Sequence, residues 1–230
     1  VNYRFVWPEA PKNLKILLYV YVGMFVLNIF SEALGIFSTA QVWGLSWSQL
    51  IQGKLWTPLF YWLYSLDLFE TLFNGLLFWF LGAELVALWG RRFWIMTALT
   101  VLGGAAAYLI MDSLLGPLGM IAGPHGLTLA IILIYGLMYP ERDLYLLFFP
   151  VKGKIFTLVL LGMELYRFLF AASKLQYLGH LAGTLIAVTY WYFFLRNGGG
   201  DTLSRIFAPR KRGRLSLVKQ NDDKPPRYYQ

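Results

Sequence analysis

Glu70, Asn74, His125 and His180 are polar side chains set inside long apolar stretches of a chain that has only two histidines and no cysteine. Imidazole titrates near neutrality, so it can act as a general base, proton relay or metal ligand. Two imidazoles and a carboxylate are a ligand combination suited to zinc or iron, and a water bound to such an ion is a nucleophile. The plainer alternative is a hydrogen-bonded cluster in which Glu70 bonds one or both histidines. Nothing beyond the three residues points to a metal, and no metal or other cofactor is expected. The absence of cysteine removes disulfides, thiolate ligands and a cysteine nucleophile.

The elements that position these groups are apolar helices. Apolar residues make up 58% of the 230 positions and charged residues 14%, against roughly 45–50% and about 25% in soluble domains. A soluble enzyme is excluded. Six stretches approach the ~20 apolar residues that cross a bilayer: 14–37, 66–89, 93–111, 120–139, 155–172 and 177–195. Unpaired backbone groups have no partner in lipid, so the expected architecture is an all-α integral membrane bundle of six transmembrane helices. Around it lie a cytoplasmic segment, 1–13, and a tail, 197–230. With both termini cytoplasmic, every Lys and Arg except Lys54, Arg167 and Lys174 falls on the cytoplasmic side.

In that topology the second, fourth and sixth spans all run inward. Glu70, His125 and His180 then share a depth of roughly 5–8 Å below the outer edge. Asn74 lies one turn below Glu70 on the same helix face. Gly123, Gly126 and Ala130, and Gly179, Gly183 and Ala187, form strips of small residues suited to close helix packing. The aromatic loop 38–65 reads as amphipathic pieces in the membrane interface. On the fifth span, Glu164 and Arg167 are spaced either to pair with each other or to contact a partner helix. In the tail, Arg210, Lys211, Arg212 and Arg214 suit anionic lipid, a partner, or retention on the cytoplasmic side. Nucleic acid is not an expected partner, because no folded recognition domain accompanies the cluster.

These residues carry a family resemblance. Glu70-Thr-Leu-Phe-Asn74 through Leu81-Gly82-Ala-Glu84, Gly123-Pro124-His125-Gly126 and Gly179-His180-Leu-Ala-Gly183 resemble, in order and spacing, three helices of the rhomboid intramembrane serine proteases. The resemblance implies that His180 matches the catalytic histidine and Asn74 an oxyanion-binding asparagine. His125 then stands where Gly-x-Ser-Gly carries the nucleophile, and Glu70 where a histidine holds the oxyanion. A Trp-Arg pair common in the family's first loop reads Trp56-Thr57. A carboxylate repels the charge that acyl transfer builds. The chain is therefore similar to catalytically inactive rhomboids and to derlins.

What the resemblance implies is a pseudoprotease that binds transmembrane segments of other membrane proteins, as escort, quality-control factor or scaffold, without cutting them. Alternatives are a permanent subunit of a larger membrane complex, or a hydrolase using a metal at Glu70, His125 and His180. The compact size suggests a bacterial inner membrane, with the endoplasmic reticulum as the alternative.

Overall fold

The computed structural model of the chain describes residues 10–146, 149–170 and 174–196. The tail with Arg210, Lys211, Arg212 and Arg214 lies outside the described residues, as do residues 1–9.

The first helix, α1, spans Lys12–Ala33. Leu14, Leu18, Tyr21, Phe25 and Asn28 recur every three or four positions and are buried, while Tyr19, Val22, Val26 and Phe30 face outward. An apolar outer face matches lipid rather than water. The aromatic loop then folds into three short helices, α2 (Thr39–Trp43), α3 (Trp47–Ile51) and α4 (Thr57–Phe60). Next, α5 (Leu68–Leu77) continues through a π-helical segment, Phe78–Gly82, into α6 (Ala83–Trp89), so that Leu68–Trp89 is one rod. Gly90, at φ +53°, reverses the chain into α7 (Arg91–Leu115).

The helix bearing His125 departs from the sequence expectation. α8 is His125–Met138, so it begins at the histidine itself rather than at Met120. Gly123 has φ +91° and Pro124 is the N-cap, which together prevent an earlier start. The apolar residues before them serve another purpose. Ile121 and Leu45 exchange both backbone hydrogen bonds at 2.9 Å, stitching the aromatic loop to the bundle. α8 has only 14 residues, about 21 Å at 1.5 Å per residue. It can be short because it is surrounded by protein: every side chain from Gly126 to Ile132 is buried.

The connection after α8 is a hairpin of β1 (Asp143–Leu146) and β2 (Phe149–Lys152), paired antiparallel with Asp143 opposite Lys152. This small strand pair is an addition to the all-α expectation. At the same end, Glu84 pairs with Arg142 and accepts the Tyr135 hydroxyl at 2.7 Å. The chain returns through α9 (Gly153–Phe170) and α10 (Lys174–Tyr190), which runs on through a π-helical segment, Trp191–Leu195.

Glycines set the tightest packing. A Cβ on Gly183 would stand 2.6 Å from the Thr100 carbonyl oxygen, and one on Gly179 would stand 2.9 Å from the Tyr108 Cβ. The strip on α10 therefore faces α7. Gly126 is the one that faces α10, where a Cβ would meet the His180 carbonyl oxygen at 2.9 Å. Among the described residues, Lys12–Ala33, Leu68–Trp89, Arg91–Leu115 and Tyr177–Leu195 are long and apolar enough to cross a membrane. The chain is an integral membrane protein.

Asp112, 5% exposed near the end of α7, latches the aromatic loop. Its two oxygens accept the backbone N–H groups of Trp47 at 2.7 Å and Leu118 at 2.6 Å. Asp112→Ala removes both charge-assisted hydrogen bonds, at a cost of about 2–3 kcal/mol. The loop should then be cut by protease faster in intact vesicles, while α10 stays protected.

Candidate functional site

Local rules bring the polar groups together. Asp67 caps α5, its Oδ1 accepting the Glu70 N–H at 2.7 Å. Glu70 is thus the third residue of the helix, the capping-box position, where the helix dipole favours a carboxylate. Its Oε1 lies 3.4 Å from the His125 Nε2. Gly123 permits this approach twice over. Its positive φ turns the chain into α8, and a Cβ there would stand 3.1 Å from the His125 ring and 3.3 Å from the Glu70 carboxylate.

The two imidazoles meet edge to face, with ring centroids 5.2 Å apart and planes at 77°. The Tyr177 ring lies 6.4 Å from that of His180. Hydroxyls in the neighbourhood are engaged elsewhere. Thr128 donates to the buried Asn74 Oδ1 at 2.9 Å. Thr184 lies 2.9 Å from the His180 carbonyl oxygen and 3.0 Å from that of Gly126, pinning α10 to α8. Glu70, Asn74, Gly123, His125, Gly126 and His180 therefore gather at one end of the bundle. His125 is the first residue of α8 and does not sit several residues within a helix.

Beside them opens a cleft of about 730 Å³ between α5, α8 and α9. Phe69, Phe73, Leu129, Leu160 and Met163 supply apolar wall, with Glu70, Asn74, His125 and Thr128 on one side and Glu164 on the other. Glu164 is 9% exposed. The side chain of Arg167 lies outside the described residues, so the expected pairing of Glu164 with Arg167 falls there too. Among the described residues, no three His, Asp or Glu side chains are placed to hold one metal ion. Glu70 contacts His125, and His125 contacts His180.

Sequence reasoning misses Asp67, Thr128 and Asp112 as parts of the site and its supports. Asp67 had a signal, since Asp-x-x-Glu ahead of an apolar run is a capping-box spacing. Thr128 and Asp112 gave none, because their partners lie 54 and 65 positions away.

At the opposite end, Glu141 accepts from Lys154 at 2.6 Å and from Lys152 at 3.3 Å, bracing the hairpin. These hydrogen bonds, Lys154 first, hold its carboxyl below the ordinary value of 4.5. The bracing is complete above that value and is lost as pH falls through the lower folded-state value. Amide protection of the hairpin, corrected for intrinsic exchange, should decline over that range. In Glu141→Gln it should be low throughout.

No curated protein matches the sequence. Residues 52–197 match the family model of the Rhomboid domain. That stretch is more than half of the chain and includes every wall of the cleft and both histidines. The chain belongs to the rhomboid family.

Proposed function

We propose that this chain is a non-catalytic rhomboid that binds the transmembrane segments of other membrane proteins. Six helices cross the bilayer in this reading, α9 and the protein-enclosed α8 completing the four longer ones. Both termini are cytoplasmic, and the home is a bacterial inner membrane. The basic residues Arg142, Lys152 and Lys154 at the hairpin end support that orientation.

The observation that carries the proposal is Glu70 against His125. Rhomboids are typically intramembrane serine proteases, and acyl transfer needs an alcohol beside the base and donors around the growing oxyanion. Here the first residue of α8 is an imidazole facing His180, and a carboxylate reaches over it at 3.4 Å. An internal anion thus occupies the ground on which reaction charge would build. The cleft between α5 and α9 supports retained binding, because its lining is mostly apolar.

A serine-reactive fluorophosphonate probe, applied to the purified protein in vesicles, should leave it unlabelled while labelling an active rhomboid in parallel. Stoichiometric labelling of the unaltered chain would overturn the inactive assignment. Binding is tested separately, by crosslinking from the cleft.

A further inference from the structure

A second pocket, of about 660 Å³, lies between the aromatic loop, the end of α7 and the turn that leads to α8. It shares no lining residue with the cleft beside His125. Amide and hydroxyl side chains line it, among them Gln41, Ser48, Gln49 and Gln52. Lys54 and Asp112 are the charged residues of the lining, one of each sign.

The hydrogen-bonding capacity left on these groups defines a ligand. The Lys54 ammonium has three N–H donors, and one of them meets the Gln41 carbonyl oxygen at 2.6 Å. The remaining donors and the charge suit a phosphate oxygen. Asp112 accepts the N–H groups of Trp47 and Leu118, whereas a carboxylate has about four acceptor sites. Gln49, 5% exposed, holds a side-chain carbonyl oxygen that no described group bonds. A lone phosphate would answer Lys54 but meet Asp112 as like charge. A phosphate joined to a primary ammonium answers both signs, and its N–H groups answer the acceptors.

The surface around the pocket says what carries such a headgroup. Trp47 and Ile51 of α3 line it and are exposed. On α7, Leu102, Ala106, Ile110 and Leu114 recur every four residues and are all exposed. They form an apolar stripe along one helix face, ending next to Ser113 in the lining. Acyl chains laid on that stripe bring a headgroup to the pocket at the membrane interface.

We infer that this pocket binds a membrane phospholipid with a phosphoethanolamine headgroup, its phosphate at Lys54 and its ammonium toward Asp112 and Gln49. The site stands apart from the cleft and from any helix bound there.

The test is native mass spectrometry of the full, delipidated chain in detergent, given an equimolar mixture of phosphatidylethanolamine, phosphatidylcholine and phosphatidylglycerol with identical acyl chains. Phosphatidylethanolamine should be retained roughly tenfold over each of the others, a ratio that corresponds to about 1.4 kcal/mol. Lys54→Met, and Ser48→Leu by filling the pocket, should abolish the preference at unchanged melting temperature, and Lys54→Arg should keep it. A large excess of free O-phosphoethanolamine should leave the lipid bound. Equal retention of the three lipids, a preference for phosphatidylglycerol, or an undiminished preference in folded Lys54→Met overturns the inference. Displacement by the free headgroup overturns the lipid as its source.

Discussion

His125→Ser alone should leave the protein proteolytically silent, whereas His125→Ser combined with Glu70→His should cleave a transmembrane substrate at least about a hundredfold faster than the single variant. The single change supplies a hydroxyl at the start of α8, next to His180, whose ring now packs on the one at position 125. It leaves the Glu70 carboxylate above the reacting centre. Removing one oxyanion donor costs about 10²–10³ in rate elsewhere, and an anion in that place costs at least as much. The second change removes the charge and offers a donor, while Asn74 is already in the cleft. Product release from a fluorogenic substrate in vesicles, read alongside fluorophosphonate labelling, decides the outcome. Rapid cleavage by His125→Ser alone would show that Glu70 is not the block. A folded but silent double variant would show that position 125 is not where a nucleophile belongs.

A second large effect is expected at Gly183. Replacement by valine places a Cβ 2.6 Å from the Thr100 carbonyl oxygen and 3.3 Å from the Gly104 Cα. Both obstacles are backbone of α7, so relief requires separating α10, which carries His180, from α7. Overpacking costs about 1–3 kcal/mol, and the upper end applies where backbone must move. We expect a loss of about 3 kcal/mol, read as a lower melting temperature in mild detergent and disrupted His125–His180 packing. Gly162→Ala is the control: a Cβ there meets nothing within 4 Å, so the change should stay within about 0.5 kcal/mol of neutral. An unchanged melting temperature for Gly183→Val would refute the packing argument.

Particular residues show what the sequence could and could not convey. Glu70, Asn74, His125 and His180 are legible as one cluster because polar groups inside apolar stretches must face inward, and few such groups exist. The start of α8 is not legible from hydropathy. Met120, Ile121 and Ala122 are apolar like a span, yet Ile121 spends its backbone on Leu45. Gly123-Pro124 is the local clue, since glycine and proline punctuate helices. The spacing of Gly179 and Gly183 says that a close approach exists but not which helix makes it, and the answer is α7. The latch from Asp112 to Trp47 is invisible because a buried carboxylate and a backbone N–H so far apart leave no periodic trace.

The enclosure of α8 has a consequence for the lipids this protein tolerates. A bilayer thicker or thinner than the apolar length of a protein exerts its mismatch on the helices it touches, tilting or shifting them at a cost of fractions of a kcal/mol per Å. α1, with its wide outward face, takes that strain. The helix that begins at His125 is sheathed by its neighbours, so a change of bilayer thickness should reach the imidazole pair only through His180, on the lipid-facing α10.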